Sequence, residues 1–473
     1  MHTKVKLGLG IMMGMASLAA VGRGETNSPL DKGSFDQFWA DAQKEKRADK
    51  SEASLRRMAW WREARFGMFI HWNISSVAAC EISWAREFYD GGTGNSTNPN
   101  PRPTLEPGQE FDGWVDWMPP SVPKTVYDNL HKSFYPGMFD ADKLVAQAKQ
   151  AGMKYIVQIA KHCDGFCMWN TKYTDYNIMA TPFKRDIIAE MAKACEKAGM
   201  RYGIYYAQRD WRHQDYCRER LGKYNEYMRN QIGELLTAHT NISIIWFDAW
   251  GWSKEQWETE KMFRMIYEIR PDIIIDERCG VPADFSCPEQ GIGAFNLDRD
   301  WESCMTFTGN WSWHGFDKKV ISSEECLRNL VYCAAGNGNL LMNCGPMPTG
   351  EIDPREADRL RRVGQWLEKN GQAIYGTRGG PYRPEDNVAC TRKGTNVYLH
   401  VSQWKDNTLT VPELPVKVQS AVLLGGGEVT MTRQNGTLTF TVVPKDRNPA
   451  MTVIKLTLAG SADAIEPLSA QPK

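Results

Sequence analysis

Short apolar runs and amphipathic stretches alternate along most of this chain. From Phe35 to Arg62 a charged, Trp-rich amphipathic stretch (Trp39, Trp60, Trp61) predicts a helical lead-in. The first apolar run, Phe66-Gly67-Met68-Phe69-Ile70, ends in His71-Trp72. From Asp140 the rhythm is regular. Asp140 reads as the N-cap of a helix with Leu144, Val145 and Ala148 on one face, and Gly152 ends it before a strand over 155–160. The unit then returns, with Ile187, Ile188, Met191 and Cys195 on one helix face, a stop at Gly199 and a strand over 202–206. Ala151-Gly152-Met153-Lys154-Tyr155 and Ala198-Gly199-Met200-Arg201-Tyr202 are near copies, the mark of an internal αβ repeat. Helices near 222–238, 253–268 and 323–335 feed strands over 242–247, 273–275 and 340–342. The run Ser243-Ile244-Ile245-Trp246-Phe247 is apolar almost throughout, as a parallel strand buried on both faces should be, and stops at Asp248.

Alternating helices and strands predict a parallel sheet with helices outside. The number of units favours a (β/α)8-type, TIM-like barrel over a doubly wound sheet, and no Gly-rich phosphate loop follows any strand. After Tyr375 the pattern changes. Segments 395–401, 418–424, 428–432, 437–443 and 451–458 are short, β-rich and separated by turn residues, which predicts a small C-terminal antiparallel β-sandwich. The expected division is a signal peptide over 1–22, the barrel over 23–374, the sandwich over 375–460 and a disordered Ala/Ser/Pro tail over 461–473.

Composition narrows the partners. Lys+Arg and Asp+Glu balance at 57 each, which argues against nucleic acid or an anionic membrane surface. Lys4 and Lys6 precede the apolar run Leu7 to Val21, too short to span a bilayer, and Ala20-Val21-Gly22 offers a cleavage site. Export to the periplasm or medium is expected, without membrane insertion. Of the 12 cysteines, Cys163 and Cys167 lie close together, but no second pair at zinc spacing exists, so neither a metal nor another cofactor is expected. Residues 90–125 form a long irregular loop, in which Trp114 and Trp117 are placed to wall a cleft.

Barrel sites gather at the C-terminal ends of the strands. There stand His71, Lys161-His162, Tyr206 to Asp210, Asp248, Arg278 and Asn343. His, Tyr, Asp, Arg and Trp around one mouth, with few Lys, suit a polyhydroxylated neutral ligand. Trp246, two residues before Asp248, shares its face; Tyr205 reads as core. Glycoside hydrolysis needs a carboxylate pair. Asp248 is the expected nucleophile, and two glutamates on later loops compete as the acid: Glu289 and Glu302.

Five segments carry a specific resemblance: Arg65 to Trp72, Lys161-His162-Cys163-Asp164-Gly165-Phe166, Trp246-Phe247-Asp248, Trp301-Glu302-Ser303-Cys304 and Asn337 to Pro346. In this order they resemble the signature segments of glycoside hydrolase family 29, the α-L-fucosidases. The resemblance implies a barrel plus sandwich, hydrolysis of terminal α-L-fucosyl residues of oligosaccharides or glycoconjugates with retention, and no metal. It implies Asp248 as nucleophile and contacts to fucose from His71, His162, Trp246, Arg278 and Tyr206. Glu81 and Trp84, in Glu81-Ile82-Ser83-Trp84, join this substrate-binding set. Glu289 fits the family's Pro-Glu pattern for the acid/base, with Glu302 the runner-up. Three positions depart from the family: Cys163 stands in place of a second His, and Asn73 and Ala249 in place of Gly. Loss of that His leaves two alternatives open, an enzyme for a related L-sugar such as L-galactose and a catalytically weak barrel that binds fucosylated glycans.

Overall fold

The computed structural model describes residues 32–86, 122–248, 252–315 and 319–471. The predicted signal peptide, Trp114, Trp117 and Ala249 lie outside the described residues.

Seven parallel strands form one sheet: β1 (Phe66–Ile70), β2 (Tyr155–Lys161), β3 (Arg201–Tyr206), β4 (Ile242–Phe247), β5 (Ile274–Ile275), β6 (Glu302–Thr306) and β7 (Asn339–Cys344). Their order is β5-β4-β3-β2-β1-β7-β6, so the sheet curls with β5 and β6 at its edges. The gap between those edges is bridged by residues 284–290. Glu277 N–H donates to Phe285 O on one side, and Glu302 N–H and Cys304 N–H donate to Ser286 O and Pro288 O on the other. Parallel bridges Asp276–Phe285, Ser286–Trp301 and Glu289–Cys304 put this segment in the eighth barrel position. Pro288 within it has no N–H to donate, so the bonds to β6 are interrupted there.

Local sequence accounts for the helices that wrap this sheet. Asp140, Asp186 and Ser322 each accept a backbone N–H three residues on, from Lys143, Ala189 and Glu325 at 2.8–3.1 Å. Gly199 ends the helix Ile187–Ala198 with φ 65°, a left-handed turn that costs glycine nothing. The lead-in splits into helices Lys32–Ala42 and Glu52–Ala64 around a 3-10 turn at Arg47–Asp49. The helix expected from 253 begins at Thr259, because Ser253 to Glu258 close in turns, with Glu258 at φ 49°. Strand β6 was not predicted at all. Glu302-Ser-Cys-Met-Thr has no apolar run, yet all five residues are buried.

The C-terminal strands are β8 (Arg378–Gly379), β9 (Val388–Lys393), β10 (Asn396–Val401), β11 (Thr408–Pro412), β12 (Val418–Leu423), β13 (Val429–Gln434), β14 (Thr437–Val442) and β15 (Thr452–Leu458). They make one sheet β12-β15-β10-β9-β8 and a second β11-β14-β13, antiparallel throughout. Their shared core includes Val397, Leu399, Leu409, Phe440 and Ile454. The tail is a correction to the expected disorder. Leu468 exchanges backbone bonds with Pro381 and Arg383, and Ala462, Ile465 and Ala470 are buried against the sandwich. Its low-complexity composition hid a few apolar residues at the right intervals to dock.

Candidate active site

Strand register decides which residues reach the mouth. Tyr205 pairs with Trp246 across β3 and β4, and Phe69 pairs with Asn343 across β1 and β7. Side chains alternate along a strand, so Trp246 and Asp248 share the inner face with Tyr205. The Tyr205 hydroxyl donates to Asp248 Oδ2 at 2.8 Å, and its ring stacks between His162 and Trp246, at 5.4 and 5.7 Å between centroids. Tyr206 therefore points outward. Its hydroxyl donates to Gln231 Oε1 at 2.6 Å on the helix Leu221–Ala238, and Lys161 covers its ring. Tyr205, the residue read as core, is the one that faces Asp248, and the same parity that placed Trp246 would have found it.

Arg278 organises the carboxylates. One guanidinium nitrogen donates to Asp248 Oδ1 at 3.1 Å and the other to Glu289 Oε2 at 2.7 Å, while the cation lies 4.8 Å above the Trp246 ring. Burial alone would raise the Asp248 carboxyl; Arg278, His162 and the Tyr205 hydroxyl outweigh it and hold Asp248 below the usual carboxylate range. Glu289 sits at the mouth end of the eighth barrel position with its side chain 41% exposed.

Glu302 is built differently. It starts β6, at the opposite end of that strand from the mouth, and is fully buried. Trp246 Nε1 donates to Oε1 at 3.2 Å, Trp61 Nε1 donates to Oε2 at 3.2 Å, and the Tyr155 hydroxyl bonds the same oxygen. Tyr155 lies across Gly67, where any larger residue would meet its ring. Burial pushes Glu302 up to about 7 against these donors. That value alone would suit an acid, but both oxygens are occupied inside the barrel, which argues against contact with a substrate.

His71 and His162 complete the inner wall. Burial, reinforced for His71 by His162, lowers them to about 3 and about 4, so both imidazoles are neutral at physiological pH. His71 Nδ1 lies 2.7 Å from Asn343 Oδ1, and its ring packs 4.7 Å from that of Trp311. His162 Nδ1 lies 2.6 Å from Ser83 Oγ, which also accepts the Asp164 N–H at 2.8 Å. Asp164 is fixed in turn by Asn73 Nδ2 and the Tyr127 hydroxyl, at 2.7 and 2.8 Å.

Glu81 is bonded to the loop that carries Trp311. Its carboxylate accepts the N–H groups of Ile82, Trp311 and Ser312 at 3.0–3.1 Å, and His314 Nε2 lies 3.2 Å from it. It pins that loop. Trp84 packs edge-on against Trp211 at 5.3 Å, and the Trp211 N–H donates to Cys163 O at 2.8 Å, so Trp84 stands over the loop with Cys163. Burial pushes the Cys163 thiol up to about 12 and leaves it a packed, unreactive group. Ser83, Trp311 and Asn343 are the site residues whose roles the sequence concealed, since each acts through a partner distant along the chain. All twelve cysteines lie among the described residues and none is paired. Among those residues no cluster of His, Cys, Asp or Glu could hold a metal ion.

A closed parallel barrel with two carboxylates, a shared arginine and an aromatic wall at its C-terminal mouth is the arrangement of a glycoside hydrolase. The sequence profile of the α-L-fucosidases matches residues 36–372, and the chain belongs to that family. It is 27% identical over 342 residues to the human plasma α-L-fucosidase, covering 67% of this chain and 69% of the relative. Among solved structures, α-L-fucosidase isoenzyme 1 of Paenibacillus thiaminolyticus superposes with a TM-score of 0.75 at 30% identity, covering 86% of this chain and 99% of the other. An α-L-fucosidase of Bacteroides thetaiotaomicron, solved as a trapped covalent intermediate with 2-fluoro-fucosyl fluoride, superposes with a TM-score of 0.73 at 26% identity, covering 86% and 96%.

Proposed function

We propose that this protein hydrolyses terminal α-L-fucosyl residues of glycans by double displacement with retention of configuration. The observation that carries the reading is Arg278, whose two nitrogens hold Asp248 and Glu289 together at the mouth of a fucosidase-family barrel. Asp248 is the nucleophile. It attacks the anomeric carbon as the bond to the leaving oxygen breaks, and Glu289, protonated, gives that oxygen its proton. A covalent fucosyl ester on Asp248 results. Glu289, now a base, takes a proton from water as the water attacks the anomeric carbon; the ester breaks and Asp248 is regenerated.

The depressed titration of Asp248 suits a group that must stay ionised. The site for the sugar is formed by His71, His162, Tyr205 and Trp246, with aromatic faces for its apolar side and imidazoles for its hydroxyls. Glu302 supports Trp246 from below. The Lys4-to-Gly22 segment supports export to the periplasm or medium, and no helix among the described residues is long and apolar enough to cross a membrane.

Asp248→Gly tests the nucleophile. With an aryl α-L-fucoside, kcat should fall at least about a thousandfold, and azide should restore turnover by giving fucosyl azide. Unchanged activity in that variant would remove Asp248 from the role. Glu289→Ala should keep its first step only for aryl groups that leave without a proton; the same behaviour in Glu302→Ala instead would transfer the acid role.

A further inference from the structure

His71 has two ring nitrogens, and its neighbours determine which one carries the proton. Nδ1 faces Asn343 Oδ1 at 2.7 Å. An amide can be turned over without changing its shape, so its orientation must come from its other partner. That partner is the Trp311 carbonyl, 2.7 Å from Asn343 Nδ2. A carbonyl only accepts, so the amide nitrogen must face Trp311 and the amide oxygen must face His71. An oxygen there requires a proton on Nδ1. Burial keeps the ring neutral, so Nε2 retains its lone pair. Among the described residues nothing bonds Nε2.

The Trp311 peptide is itself fixed at both ends. Its N–H donates to Glu81 Oε2 at 3.0 Å and its carbonyl accepts from Asn343. Ser312, the next residue, donates its N–H to the other Glu81 oxygen at 3.1 Å. A single chain of hydrogen bonds thus runs from the Glu81 carboxylate through a peptide group and an amide to the imidazole. Every link has one chemically allowed direction.

We propose that Asn343 is a positioning residue that holds His71 in the Nδ1–H tautomer, so that Nε2 presents a hydrogen-bond acceptor to the substrate, and that Glu81 acts one step behind it by pinning the Trp311 peptide. The specificity consequence rests on reading this mouth as the sugar site: the sugar position against His71 must carry a hydroxyl that donates. A substrate with fluorine, hydrogen or methoxy there leaves the lone pair unpaired and is rejected, whereas a site presenting Nε2–H would accept a fluoro or methoxy oxygen-like acceptor more readily.

The test is 15N-edited NMR of the full chain labelled at histidine, with His71 assigned by difference from His71→Gln. The expected result is a protonated Nδ1 and a bare Nε2, unchanged from pH 5 to 8. A protonated Nε2 in the wild type overturns the proposal without reference to any variant or substrate. Asn343→Asp places an anion beside Nδ1 and removes the donor to Trp311. It should draw a second proton onto Nε2 at neutral pH and lower kcat/KM about ten- to a hundredfold, with recovery as pH rises and the imidazolium deprotonates. Glu81→Gln should give a smaller loss with Nδ1 still protonated. An Asn343→Asp enzyme with the wild-type tautomer and pH profile also overturns the proposal. If instead the wild type shows the expected tautomer but does not turn over aryl α-L-fucosides, the fucosidase reading fails and the positioning chain stands.

Discussion

Two carboxyl groups on the barrel's inner face show how neighbours set chemistry at the scale of one residue. Asp248 is held ionised by a guanidinium and a phenol at the mouth; Glu302, deeper in, meets only neutral donors and is pushed up to about 7. The Glu302 carboxyl titrates near 4.5 when unfolded. Its folded form therefore holds a proton the unfolded form has lost between those values, and stability falls as pH rises through that window. The penalty levels off above pH 7 at roughly 3 kcal/mol. Glu302→Gln keeps the shape without the charge. The wild type should lose stability relative to Glu302→Gln from pH 4.5 to 7 in denaturant titrations, and parallel curves for the two proteins would show that Glu302 does not titrate this way.

At the scale of elements, the segments with the weakest local pattern carry much of the architecture. Residues 284–290 close the barrel with isolated bridges and bring Glu289 to the mouth. The tail is the second such segment. Ile465 is buried, Leu468 bonds the backbone at Pro381 and Arg383, and Ser469 with Ala470 binds the Glu385 carboxylate at 2.7 and 2.8 Å. Ending the chain at Gly460 should lower stability by roughly 2–4 kcal/mol, from lost apolar burial and backbone bonds, measured as a lower Tm by calorimetry. An unchanged Tm would mean the tail is a passenger. Kinetic constants on an aryl fucoside should stay the same, since the tail packs on the sandwich.

For the whole molecule, the question is whether barrel and sandwich are separate units. Ala389, Tyr398, Met451 and Val453 of the sandwich belong to the barrel's own apolar core. Trp366 Nε1 donates to Met451 O at 3.0 Å, Thr391 Oγ1 to Ala373 O at 2.6 Å, and the Tyr332 hydroxyl to Glu385 O at 2.6 Å. Shared core and buried polar links couple the two parts, unlike the polar, smaller contacts that let domains move independently. A single calorimetric transition is expected, with Trp366→Ala lowering it for both parts together. Two resolved transitions in the wild type would show that the sandwich unfolds alone.

The sequence by itself determined the alternation of helix and strand, the change to β segments after Tyr375, and the polar residues that end the strands. These follow from periodicity and capping, which act within one or two turns of chain. It also offered Asp248 as the carboxylate at the end of a buried strand. Only the tertiary structure decided the finer matters: that Tyr205 and not Tyr206 faces Asp248, that Glu302 lies inside the barrel, and that Glu81 serves a loop. The reason is physical. Glu302 is defined by Trp61, Tyr155 and Trp246, and His71 by Asn343 and Trp311, partners that come together only when the barrel closes.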